Sequence, residues 1–95
     1  MKSIIQDYEN ERECFYCRST LNLQDHHVFG AANRDISEKY GFKVLLCVKH
    51  HTDAKDGVHG QNKALRITLK QLAQQEFEKT HSREEFIKIF GKNYL

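Results

Sequence analysis

The sequence has no proline and no tryptophan, five glycines, one methionine and only three cysteines among its 95 residues. Without proline, a low-complexity tract or an internal repeat, nothing marks an interdomain linker. A chain below the usual ~100 to 200 residues of a domain is expected to form a single one, over residues 1–95. Three cysteines are an odd number, which argues against a disulfide framework and for metal ligation in a reducing compartment. No apolar run approaches the ~18 to 20 residues of a membrane span. The opening MKSIIQDYEN lacks the apolar stretch of a signal peptide, so the expectation is a soluble, cytoplasmic protein without membrane contact.

Charge excludes little. The 15 Lys+Arg against 13 Asp+Glu leave +2, short of the strongly basic balance that by itself announces a nucleic-acid binder. The asymmetry along the chain is mild: net −1 through Val48 and net +3 from Lys49 onward, which places an anionic partner on the C-terminal half. A chain this short buries a small share of its surface and needs a staple. Six histidines, four of them in two adjacent pairs, point to a metal.

The opening segment to Glu13 reads as a short helix or irregular arm. Residues 21–28 alternate as a short strand, and 43–46 form a second one that pairs with it across a loop over 29–41 with room for one helical turn. A short helix is expected over 50–56, stopped by Gly57. Asn62 is placed to cap a helix reaching about Lys79, with Leu65, Leu69, Leu72, Ala73 and Phe77 as one apolar stripe. Ser82 and Glu85 form a capping box opening a last helix that carries the apolar stripe Phe86, Ile87, Ile89 and Phe90 and ends at Gly91. Both apolar stripes read as core.

Two half-sites carry the chemistry. Cys14-x-x-Cys17 and Cys47-x-x-His50 together supply four nitrogen and sulfur donors, the set for a closed tetrahedral zinc whose role is structural. His26, His27 and His51 remain without a structural task. Neighbouring strand side chains point to opposite faces, so His26 and His27 share a site only where the strand is twisted or kinked.

At these residues the sequence resembles the HNH endonuclease family. The run Leu23, Gln24, Asp25, His26, His27, Val28 matches the family's apolar residue, two variable ones and His-His-Ile. The CxxC and CxxH pairs match the zinc ribbon that many members carry around the core. The resemblance covers about residues 14 to 59. More narrowly, His-His-Val-Phe-Gly with a downstream Asn-Arg and Gly-Val-His is similar to small phage and bacterial HNH proteins, including RecA-dependent recombination-enhancing nucleases.

The resemblance implies an α+β fold: a small ββα-metal (HNH, or His-Me finger) core stapled by zinc at residues 14–59, then two C-terminal helices over 64–95. It implies a metal-dependent DNA endonuclease with His27 as general base and His26 and His51 as ligands of a catalytic divalent ion (Mg²⁺, Mn²⁺, Ni²⁺, Co²⁺ or Zn²⁺). Asn33 would steady the loop, and His59 would turn back to the metal or to phosphate. Arg34, Lys49, Lys55 and Lys63 are the candidate phosphate contacts, and Asp53 a candidate to orient an imidazole. Two alternatives stay open. His51 rather than His50 can be the zinc ligand, and Asp25-His26 can replace His26-His27 as ligand and base. DNA is the implied partner, with a homodimer or a recombination protein beside it. A non-catalytic zinc-ribbon module that docks DNA or protein is the competing reading.

Overall fold

The protein is described here by a computed structural model covering residues 3–95. Strand β1 spans Leu23–His27 and strand β2 Lys43–Cys47. They pair antiparallel with Leu23 opposite Cys47 and His27 opposite Lys43. The connection is more ordered than the expected loop: a single 3-10 turn, Ala31–Asn33, leads into helix α1, Arg34–Tyr40. No apolar stripe announces α1, because tertiary contacts hold it. The buried Ser37 hydroxyl donates to the Phe29 carbonyl at 2.6 Å and accepts the Phe29 N–H at 3.0 Å. Gly41, at φ 74°, ends the helix in the left-handed region that favours glycine.

Helix α2, Val48–His51, follows β2 without a break. It is earlier and shorter than the expected 50–56 helix, since Asp53 closes the next turn by accepting the N–H groups of Lys55 and Asp56 at 3.1 and 3.0 Å. Helix α3, Lys63–Phe77, is capped by Asn62, whose side chain accepts the Leu65 N–H at 3.1 Å. Helix α4, Arg83–Phe90, carries the full Ser82/Glu85 capping box. Both match the sequence pattern to within two residues.

A two-stranded ribbon is marginal alone, and here every side of β2 is covered. The opening segment to Glu13 is an irregular arm of turns and bends, its first two residues lying outside the described range. Gln6, buried at the arm's base, accepts the Leu45 N–H at 2.8 Å and donates to the carbonyls of Glu11 and Glu13 at 3.0 and 2.7 Å. Phe15 N–H adds a bond to the Leu45 carbonyl at 2.8 Å, so the outer edge of β2 is sealed by a side chain and a loop. The core on the other side is aromatic. Phe29 stacks on Phe90 with centroids 4.1 Å apart, and Phe42, Phe77 and Phe86 surround them. Leu65, Leu69, Ala73 and Phe77 of α3 and Phe86 of α4 are buried in this core, and Leu72 half-buried, so the stripes serve packing within the chain. No helix is long and apolar enough to cross a membrane among the described residues.

Candidate metal centres

The fold brings Cys14, Cys17, Cys47 and His50 together with all four ligand atoms within 4.8 Å of one another, a set that can hold a metal ion. Cys14 and Cys17 flank a tight turn closed by the Arg18 N–H on the Cys14 carbonyl at 2.8 Å, with Arg18 at φ 66°. Cys47 is the last residue of β2 and the N-cap of α2, which sets His50 one helical turn away. The Cys17 and Cys47 sulfurs lie 3.7 Å apart, and His50 Nδ1 lies 3.2 Å from Cys47 Sγ and 4.0 Å from Cys14 Sγ. A tetrahedral ion with sulfur at ~2.3 Å and nitrogen at ~2.0 Å imposes edges of about 3.8 Å between sulfurs and 3.5 Å between sulfur and nitrogen. The donor set fits such an ion in both identity and size. Burial raises the Cys14 thiol, but hydrogen bonds from the backbones of Cys17, Cys47 and Tyr16 outweigh it and hold it below its ordinary value, while burial and the neighbouring Cys17 and Cys14 thiols push Cys47 up.

The second cluster begins one residue later. His26, His51 and His59 also place their ligand atoms within 4.8 Å of one another. Gln24 and His26 share one face of β1, and Gln24 Oε1 lies 2.6 Å from His51 Nδ1. With Nδ1–H donating to that oxygen, His51 keeps a lone pair on Nε2, which faces His59 Nε2 at 3.1 Å. His59 arrives through the loop after α2, where the N–H groups of Val58 and His59 return to the carbonyls of His50 and His51 at 2.8 and 3.0 Å. That return requires glycine. A Cβ on Gly57 would lie 2.5 Å from the Asp53 carbonyl oxygen, and one on Gly60 2.3 Å from the same atom.

Burial, then the neighbouring charges of His51, His59, His27 and Lys70, push His26 down to about 3. Burial and His59 also lower His51. His26 and His51 are therefore neutral near pH 7, with lone pairs to offer a metal.

His27 looks elsewhere. Its Nε2 lies 2.7 Å from Glu38 Oε2 on α1, while His26 and His27 both line one cleft of about 250 Å³, together with Asp25, Gly30, Ala31, Arg34, His51 and His59. The hydrogen bond to His27 holds the Glu38 carboxyl below its usual range, with Lys43 adding to the effect. An ionised carboxylate only accepts, so Nε2 carries the proton and Nδ1 is the basic nitrogen of His27. Glu38 lies in the segment read as a loop and carries no signal in the sequence, because only the tertiary position of α1 brings it to His27.

Geometry separates both pairs of alternatives. His50 joins the cysteines and His51 the histidines. The Asp25 oxygens are taken by the Tyr8 hydroxyl at 2.7 Å and by Lys43 Nζ at 3.5 Å, and it is His26 that joins the trio. Other candidates fall away from the site. The Asn33 side chain makes no cap bond, and only its N–H, on the Gly30 carbonyl at 2.9 Å, closes the turn; Ser37 does the steadying. Asp53 caps its own turn rather than an imidazole. Of the four proposed phosphate contacts only Arg34 lines the cleft, whereas Lys49 approaches Asp56 at 3.9 Å, Lys55 is exposed on the loop after α2, and Lys63 borders a different groove.

No protein-family model, curated protein or solved structure matches the chain.

Proposed function

We propose that this chain is a metal-dependent phosphodiester hydrolase of the HNH type acting on DNA, with the cysteine cluster as a structural zinc site. One observation carries the reading: the imidazoles of His26, His51 and His59 converge beside a fourth, His27, whose Nε2 meets the Glu38 carboxylate. A closed four-ligand site explains a small fold but leaves these groups without a purpose.

His26, His51 and His59 would hold a divalent ion, which when bound would supply Lewis acidity for phosphodiester hydrolysis. Imidazole ligands favour Mn²⁺, Co²⁺, Ni²⁺ or Zn²⁺ over the oxygen-seeking Mg²⁺. His27 takes the proton of the attacking water on Nδ1, and Glu38 holds the tautomer and stabilises the imidazolium that forms. Arg34 at the cleft binds a non-bridging phosphate oxygen. Glu38 acts through His27 and is a positioning residue; Gln24 plays the same part for His51.

The test is nicking of supercoiled plasmid by the purified chain with Mg²⁺, Mn²⁺, Ni²⁺, Co²⁺ or EDTA, beside His27→Ala, with bound zinc quantified in both. Metal-dependent nicking that disappears in the variant at unchanged zinc is expected. A folded, zinc-loaded chain that binds DNA but fails to cleave it in the presence of any of these metals would overturn the nuclease and leave a zinc-ribbon binding module.

A further inference from the structure

A second groove lies between α3 and the C-terminal tail, about 360 Å³ in volume and lined by Lys63, Arg66, Ile67, Lys70, Lys92, Asn93 and Tyr94. It holds four cations and no carboxylate. Among the described residues none of the four has an acidic side chain within ion-pair distance, although Lys43, Lys49, Lys79 and Arg83 elsewhere all do. Burial and the charges of Arg66 and Lys92 lower Lys70, so the cations repel one another uncompensated.

The groove is constructed rather than incidental. Gln74, fully buried, donates to Asn93 Oδ1 at 2.8 Å and to Glu78 at 2.7 Å, and accepts the Tyr94 N–H at 2.8 Å. Gln71 donates to the Tyr94 carbonyl at 3.0 Å. These bonds clamp the tail along α3 and set Lys70 and Lys92 over the Tyr94 ring at 5.5 and 5.2 Å. The groove also adjoins the histidine trio. Arg66 Nη1 donates to the carbonyls of Val58 and Gly60, on either side of His59, both at 2.9 Å, and the Lys70 charge reaches His26.

We infer that this groove binds the phosphodiester backbone of the nucleic acid whose neighbouring phosphate enters the histidine cleft, with Lys63, Lys70 and Lys92 as phosphate contacts and Arg66 tying the groove to the His59 loop. This rests on the hydrolase reading and names the substrate track of the same site. Ammonium groups on flexible stems neutralise phosphates without reading bases, so binding is independent of sequence and strongly salt-dependent.

The experiment measures fluorescence anisotropy of a labelled DNA duplex, the corresponding single strand and an RNA duplex with the full chain, without added divalent metal, across salt concentrations. The double variant Lys70→Gln/Lys92→Gln is compared with Lys79→Gln/Lys88→Gln, which removes the same charge elsewhere. Losing two phosphate contacts should lower the salt slope by about 2 and weaken duplex affinity on the order of 50-fold at 0.1 M salt, with the control pair near the parent. The three nucleic acids rank the backbones. An unchanged slope, an equal loss in the control pair, or competition by polyglutamate as effective as by DNA overturns the groove. Circular dichroism checks folding, and Lys63→Gln/Lys92→Gln, both at exposed positions, repeats the test where the first variant unfolds. Because no turnover is read, binding lost as stated in a chain that never cleaves sustains the groove and sinks the hydrolase. Cleavage abolished by His27→Ala beside an unchanged slope does the reverse.

Discussion

His50 and His51 are adjacent in the chain, yet one faces three cysteines in a set of four and the other faces two histidines at the rim of a cleft. The cysteine set has as many donors as a tetrahedral ion accepts, with Cys14 and Cys47 buried, so an ion there has no position left for a substrate. The histidine set has three donors, one of them on the exposed His59, and leaves coordination positions open. On the proposed reading, ligand number and access divide a structural site from a reactive one, and a single helical turn, α2, separates the two donor sets.

The largest test of that division is Cys47→Ala. Structural zinc contributes an apparent ~10 to 16 kcal/mol in small zinc domains, comparable to the whole stability of about 5 to 15 kcal/mol expected of a domain. Loss of both bound zinc and the cooperative thermal transition is the expected outcome; a variant that melts like the parent would show that the cluster is not a staple. His27→Ala comes next and should act on the other side only. Cleavage should fall ~10²- to 10⁴-fold while zinc content and melting temperature stay those of the parent.

Gly60→Ala sharpens the boundary between the clusters, because a Cβ there meets the Asp53 carbonyl oxygen at 2.3 Å and pushes His59 away without touching a cysteine. Affinity for the second metal should drop about 10- to 100-fold, as when a ligand loses its supporting contacts. Isothermal titration of Mn²⁺ or Ni²⁺ into the zinc-loaded chain reads this, and equal loss of zinc would erase the distinction. Glu38→Gln should cost roughly tenfold in kcat with KM little changed, since the neutral amide no longer stabilises the His27 imidazolium; a change confined to KM would remove Glu38 from its positioning role. The smallest effect belongs to neither cluster. Ser82→Ala removes the α4 cap and should lower stability by about 1 kcal/mol in chemical denaturation, with both metal equivalents retained.

Much of this was legible in the residues. CxxC and CxxH at their spacing named four ligands, and the stripe on α3 and the capping box of α4 gave two helices nearly to the residue, because periodicity and caps are local signals. Helix α1 was not legible, since its anchor is Ser37 bonding to Phe29 across the turn. With it went Glu38, whose meeting with His27 depends on α1 existing. The groove was missed for a related reason: Arg66, Lys70 and Lys92 become neighbours only when Gln74 clamps the tail. Lys49, Lys55 and Asn33 are near the motif in the chain yet do not line the cleft, since nearness in sequence does not fix which way a turn presents its side chains.

By itself the sequence determined which donors this protein has and the helical and strand periods that carry them, because ligand chemistry and periodicity are properties of residue type and spacing. Only the tertiary structure decided how the donors are partitioned. The hydrogen bonds from Val58 and His59 back to α2, with Gly57 and Gly60 packed against Asp53 and Ala54, turn His59 toward His26 and His51. Such closure sums contacts between segments distant in sequence, and no local pattern encodes it.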